Sequence, residues 1–177
     1  MMYQIKANSN FFLEHIIKLL NQRNFPLIKN QIINDYGTIE FIINKNNISL
    51  KFNNSEVNIK KPFDLNTLWN SLDGLLSNHK ISFDYLFYYP MKEYLKYQNN
   101  NLKLTHTHNL IIQEILQNQD SKISKNDIYK KIWPNDVNIQ INKLDTHLTN
   151  LKNTLYDQFS YELKFSSTGG FISFLIN

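Results

Sequence analysis

With 177 residues, the chain suits one or two small domains. It has no cysteine, which excludes disulfides and thiolate metal sites. Its net charge of +4 is spread evenly: residues 1–78 carry eight Lys/Arg and six Asp/Glu, residues 79–177 eleven and nine, so each part is +2 and neither is a strongly basic block. Met1 to Lys6 lack a signal-peptide layout and no apolar run approaches bilayer length. A cytoplasmic protein without a membrane partner is expected.

In chain order, Met2 to Ala7 suits a short strand. Asn10 is placed to cap a helix from Phe11 to Gln22, with Phe12, Ile16, Leu19 and Leu20 on one face. Phe25-Pro26-Leu27-Ile28 reads as a strand. Ile39–Ile43 and Ile48–Phe52 are β-rich runs joined by the turn Asn44-Lys45-Asn46-Asn47, and Val57-Asn58-Ile59 is a further short strand. After Lys61-Pro62-Phe63, Asp64 caps a helix from Leu65 to Leu76, with Leu65, Leu68, Trp69, Leu72 and Leu76 inward. Ser77–Lys80 marks the junction between a domain of residues 1–77 and one of 78–177. Ile81–Tyr89, Tyr94–Tyr97 and Leu102–Leu104 predict three strands of a small antiparallel sheet.

The last stretch reads helix, helix, helix, hairpin. Thr105 caps a helix carrying Leu110, Ile111, Ile115 and Leu116. Ser124 caps a second, with Ile128, Ile132 and Trp133 inward, and Pro134 stops it. A third helix runs from about Gln140 to Tyr156, with Leu144, Leu148, Leu151 and Leu155 in a narrow arc. Gly169-Gly170, flanked by Phe165, Phe171, Phe174 and Ile176, signals a hairpin. That order is a winged helix-turn-helix, a layout that presents one helix to the major groove of double-stranded DNA. Opposite the leucines lie Asn142, Lys143, Thr146, Thr149, Asn150 and Asn153, side-chain types that suit adenine edges, thymine methyls and guanine or phosphate. Thr105, Lys125, Lys130, Lys131 and Lys152 are expected to meet phosphates, Ser167, Thr168 and Gly169 to form the wing contact.

Leu104-Thr105, Ile128–Trp133, Leu144–Lys152 and Gly170-Phe171 together resemble the effector domain of OmpR/PhoB-type response regulators over about residues 80–177. That family reads "LT" at the first helix, "L…vW" at the second, "vDvhIxxLRxKL" at the recognition helix and "RGxGY" at the wing. The strands before Leu104 resemble its N-terminal β-platform. Three departures imply altered DNA binding: His108 stands at an acidic position, Lys152 replaces an arginine and loses the bidentate fork, and Ser167 stands at the wing arginine.

Residues 1–77 resemble a shortened receiver domain. The opening strand, helix and Phe25-Pro26-Leu27 follow its start, and Asn58-Ile59-Lys60-Lys61-Pro62-Phe63-Asp64-Leu65 its closing segment. The middle is too short for every central helix. Phosphoryl transfer needs carboxylates after the first strand and an acceptor aspartate after the third, yet Ala7-Asn8-Ser9-Asn10 and Asn44 stand there.

The expected fold is therefore α+β: a truncated receiver-like domain followed by a winged helix with its β-platform. The expected function is phosphorylation-independent transcription regulation by a homodimer. No enzyme motif is present, and no cofactor, metal or catalytic residue is expected: His106 and His108, two apart, point to different sides of a helix. The alternative is a winged-helix protein-interaction module, touching RNA polymerase through Pro134–Ile139, without DNA.

Overall fold

The computed structural model describes residues 3–22, 37–118 and 122–174. The strand expected at Phe25–Ile28 and the apolar Ile176 lie outside them. The fold is mixed α+β, and two compact units result: residues 1–79 with 90–92, and residues 80–89 with 93–177.

The N-terminal unit contains β1 (Gln4–Ala7), α1 (Asn10–Gln22), β2 (Thr38–Ile43), β3 (Asn47–Phe52), β4 (Ser55–Lys60) and α2 (Leu65–Leu76). Its sheet has the order β1-β2-β3-β4. β1 and β2 run parallel, whereas β3 is antiparallel to both β2 and β4. Loop length dictates this. A parallel pair needs a crossover of about a dozen residues or more, and α1 lies between β1 and β2. Only Asn44–Asn46 and Asn53-Asn54 separate the later strands, which leaves room for reversals alone. Asn53 takes the left-handed conformation (φ 52°) that a short amide tolerates. The sheet thus departs from the mostly parallel sheet of a receiver-type fold, with β3 standing where a crossover helix would be.

Apolar burial holds this unit together. Ile39, Phe41, Leu50, Leu72 and Leu76 are fully buried, joined by Ile16 and Leu20 of α1. Gly37 is required next to this core: a Cβ there would fall 2.1 Å from the Phe52 ring. Asp64 caps α2, accepting from Thr67 N–H at 2.7 Å. Two local expectations are corrected. Ser9, not Asn10, caps α1, because its carbonyl and hydroxyl take the Leu13 and Phe12 N–H groups. Leu65, expected inward, is exposed, since the first turn of α2 overhangs the core that Leu68 and Leu72 fill.

The C-terminal unit opens with an antiparallel meander of four strands, β5 (Ile81–Phe83), β6 (Leu86–Tyr89), β7 (Tyr94–Tyr97) and β8 (Asn100–Lys103). Three strands were expected; Asp84, at φ 50°, turns the first run back on itself. Then come α3 (His106–Gln117), β9 (Ile123–Ser124), α4 (Lys125–Ile132), α5 (Ile141–Phe159), β10 (Phe165–Thr168) and β11 (Phe171–Phe174). A three-stranded sheet has the order β10-β11-β9. Helix α5 continues to Phe159, which is buried, and ends at Ser160 in the left-handed conformation. Ser124 stands at the cap of α4 but makes no side-chain cap bond, because it belongs to β9.

Candidate nucleic-acid interface

Helix α5 is seated by its leucines. Leu144, Leu148, Leu151 and Leu155 are at most 1% exposed, each contributing about 1.5–3 kcal/mol by burial as an upper estimate. Their arc fixes the opposite stripe. Asn142, Thr146, Thr149, Asn150 and Asn153 are all exposed. The stripe is thus open to solvent within the C-terminal unit.

Hydrogen bonding within α5 decides what the stripe offers. Thr146 and Thr149 donate their hydroxyls to the Asn142 and Asp145 carbonyls at 2.8 and 2.9 Å. Each threonine is left with a methyl group and an acceptor oxygen, not a donor. The Asn142, Asn150 and Asn153 amides enter no hydrogen bond among the described residues, so donor and acceptor are both available side by side. An amide in this state matches the N6/N7 edge of adenine, and a threonine methyl matches thymine.

The lysines behave differently from the amides. Lys143 sits 3.0 Å from Asp136 and 4.3 Å over the Trp133 ring. Tyr129 donates to the same carboxylate at 2.5 Å. That hydrogen bond first, and Lys143 second, hold the Asp136 carboxyl below its usual range, while the same bond raises the Tyr129 phenol. The cluster clips the loop after α4 to the start of α5. Lys125, only 12% exposed, bonds Asp145 at 2.7 Å and ties α4 to α5. Lys131 bonds the buried Glu114 at 2.6 Å and ties α4 to α3. Lys152 lies 3.9 Å from Glu162. Of the five groups expected at phosphates, Lys125, Lys131 and Lys152 are thus engaged within the chain. Lys130 is exposed and in no ion pair among the described residues. Thr105 accepts the His108 N–H at 3.2 Å and keeps its hydroxyl proton for another acceptor.

Several elements converge on the second turn of α5. The Lys125 N–H donates to the Gly170 carbonyl at 2.9 Å, anchoring the β10–β11 hairpin to α4, while the Lys125 ammonium reaches Asp145. His108 of α3 meets His147 edge-on, ring centroids 6.1 Å apart, and Trp133 tilts against His147 at 5.4 Å. Burial first, and His147 second, lower the His108 pKa. At the hairpin tip Gly169 and Gly170 take φ of 61° and 81°, the conformation a two-residue type I′ turn demands. Ser167, Thr168 and Gly169 are exposed there.

Comparison with known proteins finds no protein-family model that matches the chain and no curated protein similar to it. The site rests on its own geometry.

In the N-terminal unit, the ends of β1, β2 and β4 come together. The Asn8 amide brackets Ile43, donating to its carbonyl at 3.2 Å and accepting its N–H at 2.9 Å. The Lys61 ammonium donates to the Asn44 carbonyl at 2.7 Å. An amide and a lysine bind backbone there, and no carboxylate takes part in these contacts. Among the described residues no group of three or more His, Cys, Asp or Glu is placed to hold a metal. None of their helices is long and apolar enough to cross a membrane.

Sequence reasoning missed His147, Glu114 and Asp136. Glu114 had a signal: an acid between Ile112 and Ile115 on an apolar helix needs a partner. His147 had none, since its role depends on what α3 and Trp133 bring to it.

Proposed function

We propose that this protein is a sequence-specific DNA-binding transcription regulator. Its C-terminal unit is read as a winged helix-turn-helix: β5–β8 as the platform, α3–α5 as the helical core, α5 as the recognition helix and β10–β11 as the wing. The observation that carries the reading is the exposed stripe of Asn142, Thr146, Thr149, Asn150 and Asn153 above fully buried leucines. Base reading falls to these side chains. Lys143, held by Asp136 and Trp133, is positioned at the edge of the stripe. Phosphate contact falls chiefly to Lys130 and the Thr105 hydroxyl, with Ser167, Thr168 and Gly169 at the wing. Pairing of Lys125, Lys131 and Lys152 makes the electrostatic share of affinity small, so sequence discrimination outweighs charge.

The N-terminal unit is read as a receiver-derived dimerisation module that works without phosphorylation, in a homodimer, as Asn8 and Asn44 at the strand ends support. Two linked reading heads gain effective concentration on paired half-sites. Localisation follows the reading: the protein acts in the cytoplasm on the genome.

One observation favours a second reading, a protein-interaction module that contacts RNA polymerase. Val137 is 96% exposed and Ile139 40%, in the loop between α4 and α5. Selection of bound fragments from the source genome separates the two. A shared motif among recovered fragments supports DNA reading; no enrichment at low salt supports the protein-interaction reading.

A further inference from the structure

Strand β4 borders only β3 among the described residues. Its pairing fixes which backbone groups remain. Lys61 N–H donates to the Asn46 carbonyl at 2.9 Å. In the observed register the next hydrogen-bonded pairs are then Ile48–Ile59, Leu50–Val57 and Phe52–Ser55. Side-chain contacts agree: Ser49 bonds Asn58 and Lys51 lies 3.5 Å from Glu56, both across the intervening pairs, where side chains stand closer. Glu56, Asn58 and Lys60 therefore turn their N–H and C=O groups away from β3. Their side chains are exposed as well.

We propose that β4 pairs with β4 of a second copy of this chain, antiparallel, about a two-fold axis at Asn58. In that register Asn58 faces the partner's Asn58, and Glu56 faces the partner's Lys60 at both ends. Each of these pairs is one in which both residues have outward N–H and C=O groups, so each exchanges both backbone bonds. The charges select the same axis as the backbone: each Glu56–Lys60 pair is opposite in sign, and Lys51, Glu56 and the partner's Lys60 alternate across the face. On the other face Val57 meets the partner's Ile59, beside the core. A parallel in-register stack would instead set Glu56 on Glu56 and Lys60 on Lys60. The edge is thus guarded against open stacking while remaining self-complementary in a closed pair. The inference deepens the dimer reading above and is independent of DNA contact.

Sedimentation velocity of the full chain, without DNA, tests it. The wild type sediments as a dimer. Lys60→Glu places two carboxylates opposite each other at both ends and raises the dissociation constant roughly tenfold or more. Adding Glu56→Lys restores it. Asn58→Pro removes an outward N–H and the Ser49–Asn58 side-chain bond but no β3–β4 ladder bond, so the chain still folds, at a somewhat lower melting temperature, while the dimer is lost. A wild type that stays monomeric to roughly 0.1 mM overturns the proposal. So does a dimer indifferent to both Lys60→Glu and Asn58→Pro. Neither result touches the DNA reading, which monomeric variants report through binding to a single half-site.

Discussion

The two units solve the problem of holding a fold together in different ways. The N-terminal unit closes on apolar side chains, and its buried polar set among the described residues is Ser49 alone. The C-terminal unit buries Asn109, Gln113 and Glu114. Tyr88 donates to Asn109 at 2.6 Å and accepts from Gln113 at 3.1 Å, and Lys131 reaches Glu114. An apolar core specifies volume; a hydrogen-bonded network specifies orientation. The unit that carries the network is also the one proposed to aim a reading head. Two lysines extend the same principle between helices: Lys125 ties α4 to Asp145 of α5, and Lys131 ties α4 to Glu114 of α3.

The largest expected effects lie where the units are alike. Leu72→Ala and Leu148→Ala each remove a fully buried side chain and lower unfolding free energy by about 2–5 kcal/mol in denaturant melts. A loss under about 1 kcal/mol at Leu72 would break the claim that apolar packing holds the first unit.

The next effect sharpens the difference. Lys131→Ala strands the buried Glu114 carboxylate and costs about 1–3 kcal/mol, most of which Glu114→Gln in the same chain recovers. Lys51→Ala, at the half-exposed pair with Glu56, costs under about 1 kcal/mol. Equal losses in thermal melts would erase the distinction.

Acid acts on both units in the same direction. Burial lowers the pKa of His79, which shares a 2.8 Å hydrogen bond with Tyr3, and of His108 beside His147. Both start from an unfolded value of 6.5. A base whose folded pKa is depressed binds more protons when unfolded, so stability is full above 6.5 and falls as pH drops through the folded value. Denaturation followed from pH 7 downward should show this slope, and His108→Gln should flatten it. A slope of opposite sign would contradict the burial of these rings.

How much of this was legible in the chain follows the same divide. The leucine arc of α5, the Asp64 and Thr105 caps and the Gly169-Gly170 turn are local signals, and each lies where its spacing places it. The helix–helix–helix–hairpin order was likewise readable. The reversal from β2 to β3 was readable too, in the turn at Asn44-Lys45-Asn46-Asn47. The positive-φ turn at Asp84 lacks glycine, so the division of Ile81–Tyr89 into two strands was hidden. The engagement of Lys125, Lys131 and Lys152 was not legible. Their partners lie on other elements, and a lysine on a helix reads the same whether it meets solvent, a carboxylate or a phosphate.

The smallest effect on stability is also the most direct test of function. Asn150 is exposed and its amide is in no hydrogen bond among the described residues, so Asn150→Ala should change folding by less than about 0.5 kcal/mol. Fluorescence anisotropy against a selected operator and its scrambled counterpart, across a salt series, then reads the central claim. The account predicts tight binding to the operator, weak binding to the scrambled duplex, and a loss of about 1–3 kcal/mol of that discrimination in Asn150→Ala with an unchanged salt slope. Equal affinity of the wild type for both duplexes, or discrimination untouched by the substitution, would contradict it.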